Sequence, residues 1–287
     1  MNLRKKLERK IILNIIKEKI FFVFIFLLSL VVVLSVIIIL FYIFQKGIAN
    51  INIDLFIHNP RPAGEKGGGI LNAIAGSFII VIFACILSIP PGILTGIYLA
   101  EINKSKVAEL VRLFVDVLQS IPSIVIGIVV YVWVVMPMKT FSAISGSIAL
   151  AIMMLPVTIK NTEETLKLIP YSVKEAAFAL GVPYYKVVLR VVLPCGLSGI
   201  VTGIIVSIAR IIGETAPLLF TAFGNQFFSL SLFKPVEAIP HIIFKYATSP
   251  YEDWQNIAWG ASLVLVSFVL LMNFISKVVM KKWKVKF

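Results

Sequence analysis

Residues 171–194 read "YSVKEAAFALGVPYYKVVLRVVLP". The stretch is polar and amphipathic, and apolar runs flank it at about 141–160 and 195–221. "SVKEAAFAL" has the composition of a short helix. Ser172 stands as an N-cap candidate with Glu175 at N3, the spacing of a capping box. Gly181 is placed to end the helix as a C-cap glycine, and Pro183 prevents its continuation. Ala176, Ala177 and Ala179 leave a small-residue face that allows close approach to another surface. On periodicity alone two readings stand: a docking helix, or an interfacial helix that merely links two spans.

The flanking runs set the class. The chain is 59% hydrophobic and only 14% charged, against about 45–50% and about 25% in an ordinary soluble domain. Mean hydropathy is +1.00. Several apolar stretches exceed the roughly 18 residues that mark a membrane-spanning helix. The first, "FFVFIFLLSLVVVLSVIIILFYIF" (21–44), is too long for a signal-peptide core and lacks a small-residue cleavage site, so it reads as an uncleaved anchor. The start, residues 1–20, carries seven Lys/Arg and reads as a basic amphipathic helix on the membrane surface. Residues 46–69 and 222–255 read as exposed loops. Further spans are expected near 71–100 (kinked by Pro90-Pro91), 111–136, 141–160, 195–221 and 257–279. The expected fold is all-α, a polytopic membrane bundle of six transmembrane helices.

Six spans put both termini on one side, and charge chooses that side. The N-terminus, the 101–112 loop, the 160–194 segment and the C-terminus hold 20 Lys/Arg, and the opposite loops hold 6. By the positive-inside rule the termini and residues 160–194 are cytoplasmic. The net charge of +13 is therefore a membrane pattern and not a nucleic-acid footprint. Cys85 and Cys195 fall in different spans and read as free thiols. His58 and His241 read as lone loop residues, so no metal spacing arises. No nucleophile–base pair or phosphate-cradling glycine loop stands in the chain, which argues for a non-enzyme. No internal repeat is evident, which weakens an inverted-repeat secondary transporter.

"EAAFALG", nine residues and then "VVLP" resembles the EAA segment of ABC-importer permeases, with Glu175, Ala176, Ala177, Gly181, Leu193 and Pro194 matching and Val191 in an Ile position. The resemblance implies a coupling helix at about 171–185 that docks on an ATPase subunit, and the MetI-like permease fold. A closer similarity spans roughly 67–280, carried by "GGGILNAIAGSFIIVIFACILSIPPGILTGIYLAEI", "IPSIVIGIVVYVWVV", "MMLPVTIKNTEETLKLIP", "GETAPLLFTAFGNQF" and "YATSPYEDWQNIAWGASLVL". It is to phosphate-specific permeases of the PstA type. That implies a transmembrane domain at 67–280, an N-terminal anchor region at 1–66, a basic tail at 281–287, and inorganic phosphate as substrate. It also implies a PstC-type permease partner, a PstB-type ATPase dimer and an external phosphate-binding protein. No cofactor is expected on this chain; ATP and Mg belong to the partner ATPase.

"ARIIGETAPLLFTA" (209–222) places two charges inside an apolar run. Arg210 lies sixteen residues after Pro194, roughly 24 Å along a helix axis and past the midplane. An unpaired arginine there costs about 2.5–3.5 kcal/mol on insertion scales. Glu214, four residues on, can neutralise it in part. Gly199, Gly203 and Ser207 recur every four residues below the pair and read as a close-packing seam. Pro217 would free the carbonyl of Gly213 beside Glu214. One reading makes Arg210–Glu214 a structural ion pair. The other makes Arg210, Glu214, Thr215 and Ser207 line an anion path, and the resemblance implies the second for the "RxxGET" residues. Gln119 and Ser120 read as path-facing or interhelical, Glu101 as solvated, and Asp116 as buried with no partner named. "TEETLKLIP" reads as a cytoplasmic helix near the coupling helix. The rivals are an importer of another oxyanion such as molybdate or sulfate, a stand-alone channel or secondary transporter, and a scaffold without a path.

Overall fold

The computed structural model describes residues 2–65, 67–102 and 105–282. Thirteen helical segments follow one another: α1 Asn2–Ile48, α2 Ile53–Ile57, α3 Leu71–Glu101, α4 Lys106–Ser120, α5 Ser123–Val130, α6 Met136–Met138, α7 Ala143–Lys167, α8 Tyr171–Ala179, α9 Tyr184–Val187, α10 Leu193–Ile211, α11 Ala216–Thr221, α12 Ile239–Ala247 and α13 Glu252–Lys282. No strand occurs among the described residues. The all-α bundle expected from the sequence is what forms. Five helices are long and apolar enough to cross a membrane, and a bent pair makes up to six.

That bent pair is the expected third span. It is not straight: α4 and the Ser123–Met138 segment meet at 100°. The cause is local. Pro122 pushes the residue before it out of the helical region, and Ile121 is extended at φ −69°, ψ 128°. Pro137 and Pro194 act differently. Each follows a wide π turn, Tyr131–Val135 and Val188–Val192. A helical proline clashes with the carbonyl four residues back. Those carbonyls belong to Trp133 and Arg190, the central residues of the two wide turns, so local unwinding makes room for the ring.

Four further expectations need correction. The basic start forms no separate surface helix; α1 runs without a break from Asn2 to Ile48. The two loops hold α2 and α12. The fifth span ends at Ile211, and residues 212–215 separate it from α11. His241 is no lone loop residue either: it sits on α12 and pairs with Glu237, with side chains 12% and 3% exposed. His58 faces Asp54 at 3.3 Å. The basic tail beyond Lys282 lies outside the described residues.

α7 is the centre of the bundle. Its N-terminal end, on the side that the basic bias would place outside (the outer side, with the opposite one the cytoplasmic side by the same expectation), is capped by Ser142, whose side chain accepts from the Ser145 N–H. Its Thr158 and Thr162 meet Gly92 and Gly96 of α3, and its Asn161 and Thr165 meet Gly203 and Gly199 of α10. Both pairs of contacts repeat every four residues, one helical turn. A Cβ on Gly96 would lie 2.5 Å from Thr162 Cβ and 2.8 Å from the Ile159 carbonyl. The apolar core then fills the outer half with Ile80, Leu150, Met154, Ile211 and Leu218, and the cytoplasmic half with Leu166, Ala177, Val187 and Ile200. α1 stands apart. Its apolar side chains from Ile15 to Phe44 are exposed, as suits a helix in lipid. It joins the bundle at its outer end, where Tyr42 meets Trp259 edge-on at 5.3 Å.

Gly96→Leu is expected to destabilise the chain by about 1–3 kcal/mol or more, the cost of overpacking against backbone. Gly213→Ala, whose added Cβ would meet only the Arg210 carbonyl at 3.7 Å, is the control. The apparent melting temperature of the detergent-purified protein should fall in the first and hold in the second.

Candidate functional site

Two regions carry the chemistry, one at the cytoplasmic end and one near the outer end of α10. At the first, α8 starts two residues earlier than a Ser172 cap would allow. Pro170 occupies the N-cap position at φ −56°, ψ 138°, with no side-chain cap. Ser172 is thus inside the first turn, and the capping-box geometry is absent. The end of α8 matches expectation. Gly181 adopts φ 72°, its N–H bonds Phe178 O at 2.9 Å, and Val182 N–H bonds Ala177 O at 3.3 Å. This is a Schellman motif, and it turns the chain sharply into Pro183 and α9. A Cβ on Gly181 would meet nothing within 4 Å, so only the backbone angle demands glycine.

The helix divides its small residues between two faces. Ala177 is buried in the cytoplasmic core, whereas Glu175, Ala176, Ala179 and Gly181 are exposed. Around them Leu168 is 82% and Leu180 83% exposed, with Tyr171, Tyr184 and Tyr185 also open. Such a cluster, on a connector between two spans, has the make-up of a protein-binding surface.

Glu101 is not solvated. It ends α3 with its side chain 7% exposed, and Lys174 Nζ lies 2.7 Å from one carboxylate oxygen. The Tyr184 hydroxyl donates to the other at 2.9 Å. Residues 73 and 83 positions apart meet here, so no local pattern could have shown it. A second set of charges lies beside it. Glu163 is buried, and one of its oxygens takes Arg112 at 2.7 Å and Lys167 at 2.6 Å. Arg112 also donates to the Leu99 carbonyl near the end of α3. "TEETLK" is helical as expected and forms the last turns of α7. Asp116 is 58% exposed, not buried, and pairs with Lys160 at 2.5 Å.

The outer region is the break after α10. Arg210 sits in the last turn of α10, where a cation complements the helix dipole. The chain leaves the helix through Ile212, and Gly213 and Glu214 close tight turns on Arg210 O and Ile211 O. Glu214 is thus off the helix. Its carboxylate stands 3.9 Å from Arg210 Nε, beyond the roughly 2.7–3.2 Å of a hydrogen bond. Arg210 is 57% exposed and Glu214 21%. Thr215 is half-buried at the N-cap position of α11 and makes no side-chain cap. Pro217 stands in the first turn of a separate helix, α11, so the freed Gly213 carbonyl belongs to a chain break and not to a kink. Gly127 of α5 packs on Pro217, which fixes the far side of the break.

Of the residues expected in one row, Gly199 and Gly203 do form the seam against α7. Ser207 stands one turn further along α10. It is 1% exposed, and its hydroxyl donates to Gly203 O at 2.8 Å, so it does not face the open side with Arg210. Gln119 and Ser120 are exposed at the α4 bend, with the Ser120 hydroxyl on its own helix at Val117 O. Sequence reasoning missed Asn161 and Thr165, although their spacing of four mirrors that of Gly199 and Gly203. Among the described residues no group of His, Cys, Asp and Glu could hold a metal ion.

With this geometry in view the relatives of the chain are informative. The family described as "Binding-protein-dependent transport system inner membrane component" matches residues 92–285. The phosphate transport system permease protein PstA of Yersinia pestis is 47% identical over 86% of this chain and 84% of its own length. Those of Xylella fastidiosa (45%, 80% of both chains) and Haemophilus influenzae (42%, 83% and 85%) are similar. Among solved structures, a chain of the MetNI methionine ABC transporter in an inward-facing form superposes with a TM-score of 0.60 at 21% identity, covering 75% of this chain and 94% of that one. A six-segment permease bundle, a Schellman-turned surface helix between spans and an arginine at a broken outer helix thus stand in a chain that belongs to the binding-protein-dependent inner membrane transport components, in their PstA permease group.

Proposed function

We propose that this chain is a permease subunit of an ATP-driven importer of inorganic phosphate, working by alternating access beside a second, PstC-type permease. The reading rests on Arg210. A guanidinium 57% exposed on one chain is disfavoured against lipid, by about 2.5–3.5 kcal/mol at a helix centre and less toward an end. Its open side is met by a polar path or by the partner permease across that path. The 3.9 Å gap to Glu214 leaves the guanidinium fork free to take two oxygens of a phosphate. The nearby carboxylate repels that anion, which weakens binding enough for release. Thr215 adds a hydroxyl at the same break. The PstA relatives favour phosphate among oxyanions, and an external phosphate-binding protein would deliver it.

In this reading α8 is the coupling helix and docks on a PstB-type ATPase dimer, which carries the ATP and Mg. Glu175, Ala176 and Gly181 lie on the exposed side that an ATPase groove would cover. The termini and α8 face the cytoplasm, following the basic bias.

Orientation is checked by labelling with a membrane-impermeant thiol reagent in intact cells. A cysteine at Phe227, 78% exposed, should label from outside, and one at Leu180 should not. The reverse pattern overturns the orientation.

Gly181→Val forces a β-branched residue to positive φ. The chain should still insert, yet less ATPase should co-purify with it. An unchanged yield of assembled importer argues against α8 as the docking element.

For the charge pair, the double variant Arg210→Gln with Glu214→Gln decides between path and strut. An ion pair this long with one partner more than half exposed adds little stability, so a strut predicts near-normal uptake in the double variant. A path predicts normal assembly with phosphate uptake lost, and partial uptake in Arg210→Lys, which keeps the charge and loses the fork. Arsenate, sulfate and molybdate as competitors of phosphate uptake rank the oxyanions.

A further inference from the structure

The carboxylate of Glu101 does more than close an ion pair. One oxygen holds Lys174, within α8, at 2.7 Å. The other accepts from Tyr184, the first residue of α9, at 2.9 Å. These two partners lie before and after the Gly181 turn. One side chain on α3 therefore grips both arms of the α8–α9 hairpin. The ion pair is sheltered, with Glu101 7% and Lys174 14% exposed, while Tyr184 reaches it from the open side and stacks on Phe178 of α8 at 6.2 Å between centroids. The hairpin is covalently continuous with α7 and α10 but reaches α3 through these side chains and the packing of Ala100 and Ile97 around Ala177. α3 in turn carries Pro90 and Pro91 inside the helix, about 15 Å above Glu101 along the axis. Two adjacent residues without N–H groups make that point the soft one in α3.

We propose that Glu101 is a positioning residue that ties the coupling hairpin to α3, so that displacement of α8 pulls the cytoplasmic end of α3 with it about the Pro90-Pro91 point. The proposal rests on α8 being the coupling helix. A hairpin held only at α7 and α10 transmits motion to those two helices. With the clamp, the third helix of the close-packed core moves as well. The chemistry suits a mechanical tie, since a charge-assisted pair in a sheltered site resists sliding and the hydroxyl prevents rotation about it.

The test uses the whole importer, co-expressed with its partner subunits and reconstituted in liposomes. Inorganic phosphate moved and ATP hydrolysed are measured in the same sample, normalised to assembled complex. Glu101→Gln and Lys174→Gln should each assemble and hydrolyse ATP, while phosphate moved per ATP falls about five-fold or more. The exchange Glu101→Lys with Lys174→Glu should restore most of the ratio, because the pair reforms with reversed polarity. Tyr184→Phe, which leaves the ion pair intact, should lower the ratio less. If Glu101→Gln fails to assemble, the exchange variant and Tyr184→Phe decide the matter by the same ratio. A ratio unchanged in the singles, an equal fall in hydrolysis and transport, or an exchange variant no better than the singles overturns the clamp. A wild-type complex that shows no ATP-dependent phosphate movement overturns the importer reading itself and the clamp with it.

Discussion

The close approach of α7 to α3 and α10 is the constraint from which the rest of the bundle follows. In lipid, apolar side chains gain little by leaving one greasy surroundings for another, so helices associate through tight packing and polar contacts. Glycine at 92, 96, 199 and 203 provides the room, and Thr158, Asn161, Thr162 and Thr165 of α7 fill it. α3 runs in the same direction as α7 and α10 in the opposite one, and the pairing order reflects that: 92 with 158 and 96 with 162, but 199 with 165 and 203 with 161. One helix thus sets the register of two others. The outer core around Leu150 and Leu218 and the cytoplasmic core around Leu166 and Ala177 form where those three helices have already been brought together.

Charge is distributed along this core in two different ways. At the cytoplasmic end the ion pairs are short, 2.5–2.7 Å, and all but Lys167–Glu163, which lies within α7, join different elements: α3 to α8, α4 to α7. They fix where helices end. At the outer break the pair is long, 3.9 Å, and joins residues four apart. It fixes nothing between helices. A structural strut would gain most from short, multiple hydrogen bonds, and the outer pair has the opposite geometry. This contrast within one chain supports a solvent-facing role for Arg210 more strongly than its position in the sequence did.

The sequence was legible where the physics is local. Apolar runs gave the spans, and the Gly181 turn, the Gly199–Gly203 seam and the free thiols of Cys85 and Cys195 could be read from residue type and spacing. It failed where one local rule overrode another. The apolar content of 111–136 suggested a continuous span, yet Pro122, with an extended residue before it, bends the chain by 100°. A Ser-x-x-Glu pattern suggested a cap at Ser172, but Pro170 already starts the helix. Glu101, Asp116 and His241 were misjudged for a different reason. Their partners are set by tertiary contact, or in the case of His241 by a helix hidden inside a loop, and a single sequence carries no signal for either.

The two functional regions are less separate than their places at opposite ends of the bundle suggest. From Tyr184 to Ile211 the chain forms one helical run of 28 residues, about 42 Å long. Tyr184 at its base belongs to the clamp on Glu101, and Arg210 stands in its last turn. The run has one soft point, the wide turn at 188–192 forced by Pro194. Above it, Gly199 and Gly203 lock the helix to α7. A displacement at the hairpin can then be absorbed in the wide turn, or it can reach the outer break only if α7 and α3 move with α10. A grip on α3 removes the first escape, because the hairpin can no longer tilt without carrying α3, which packs on α7 beside α10. In the proposed coupling, rigid packing in the middle and the tie at the base act together: with both, motion begun at α8 would reach the break at Arg210 and would not be lost in the wide turn.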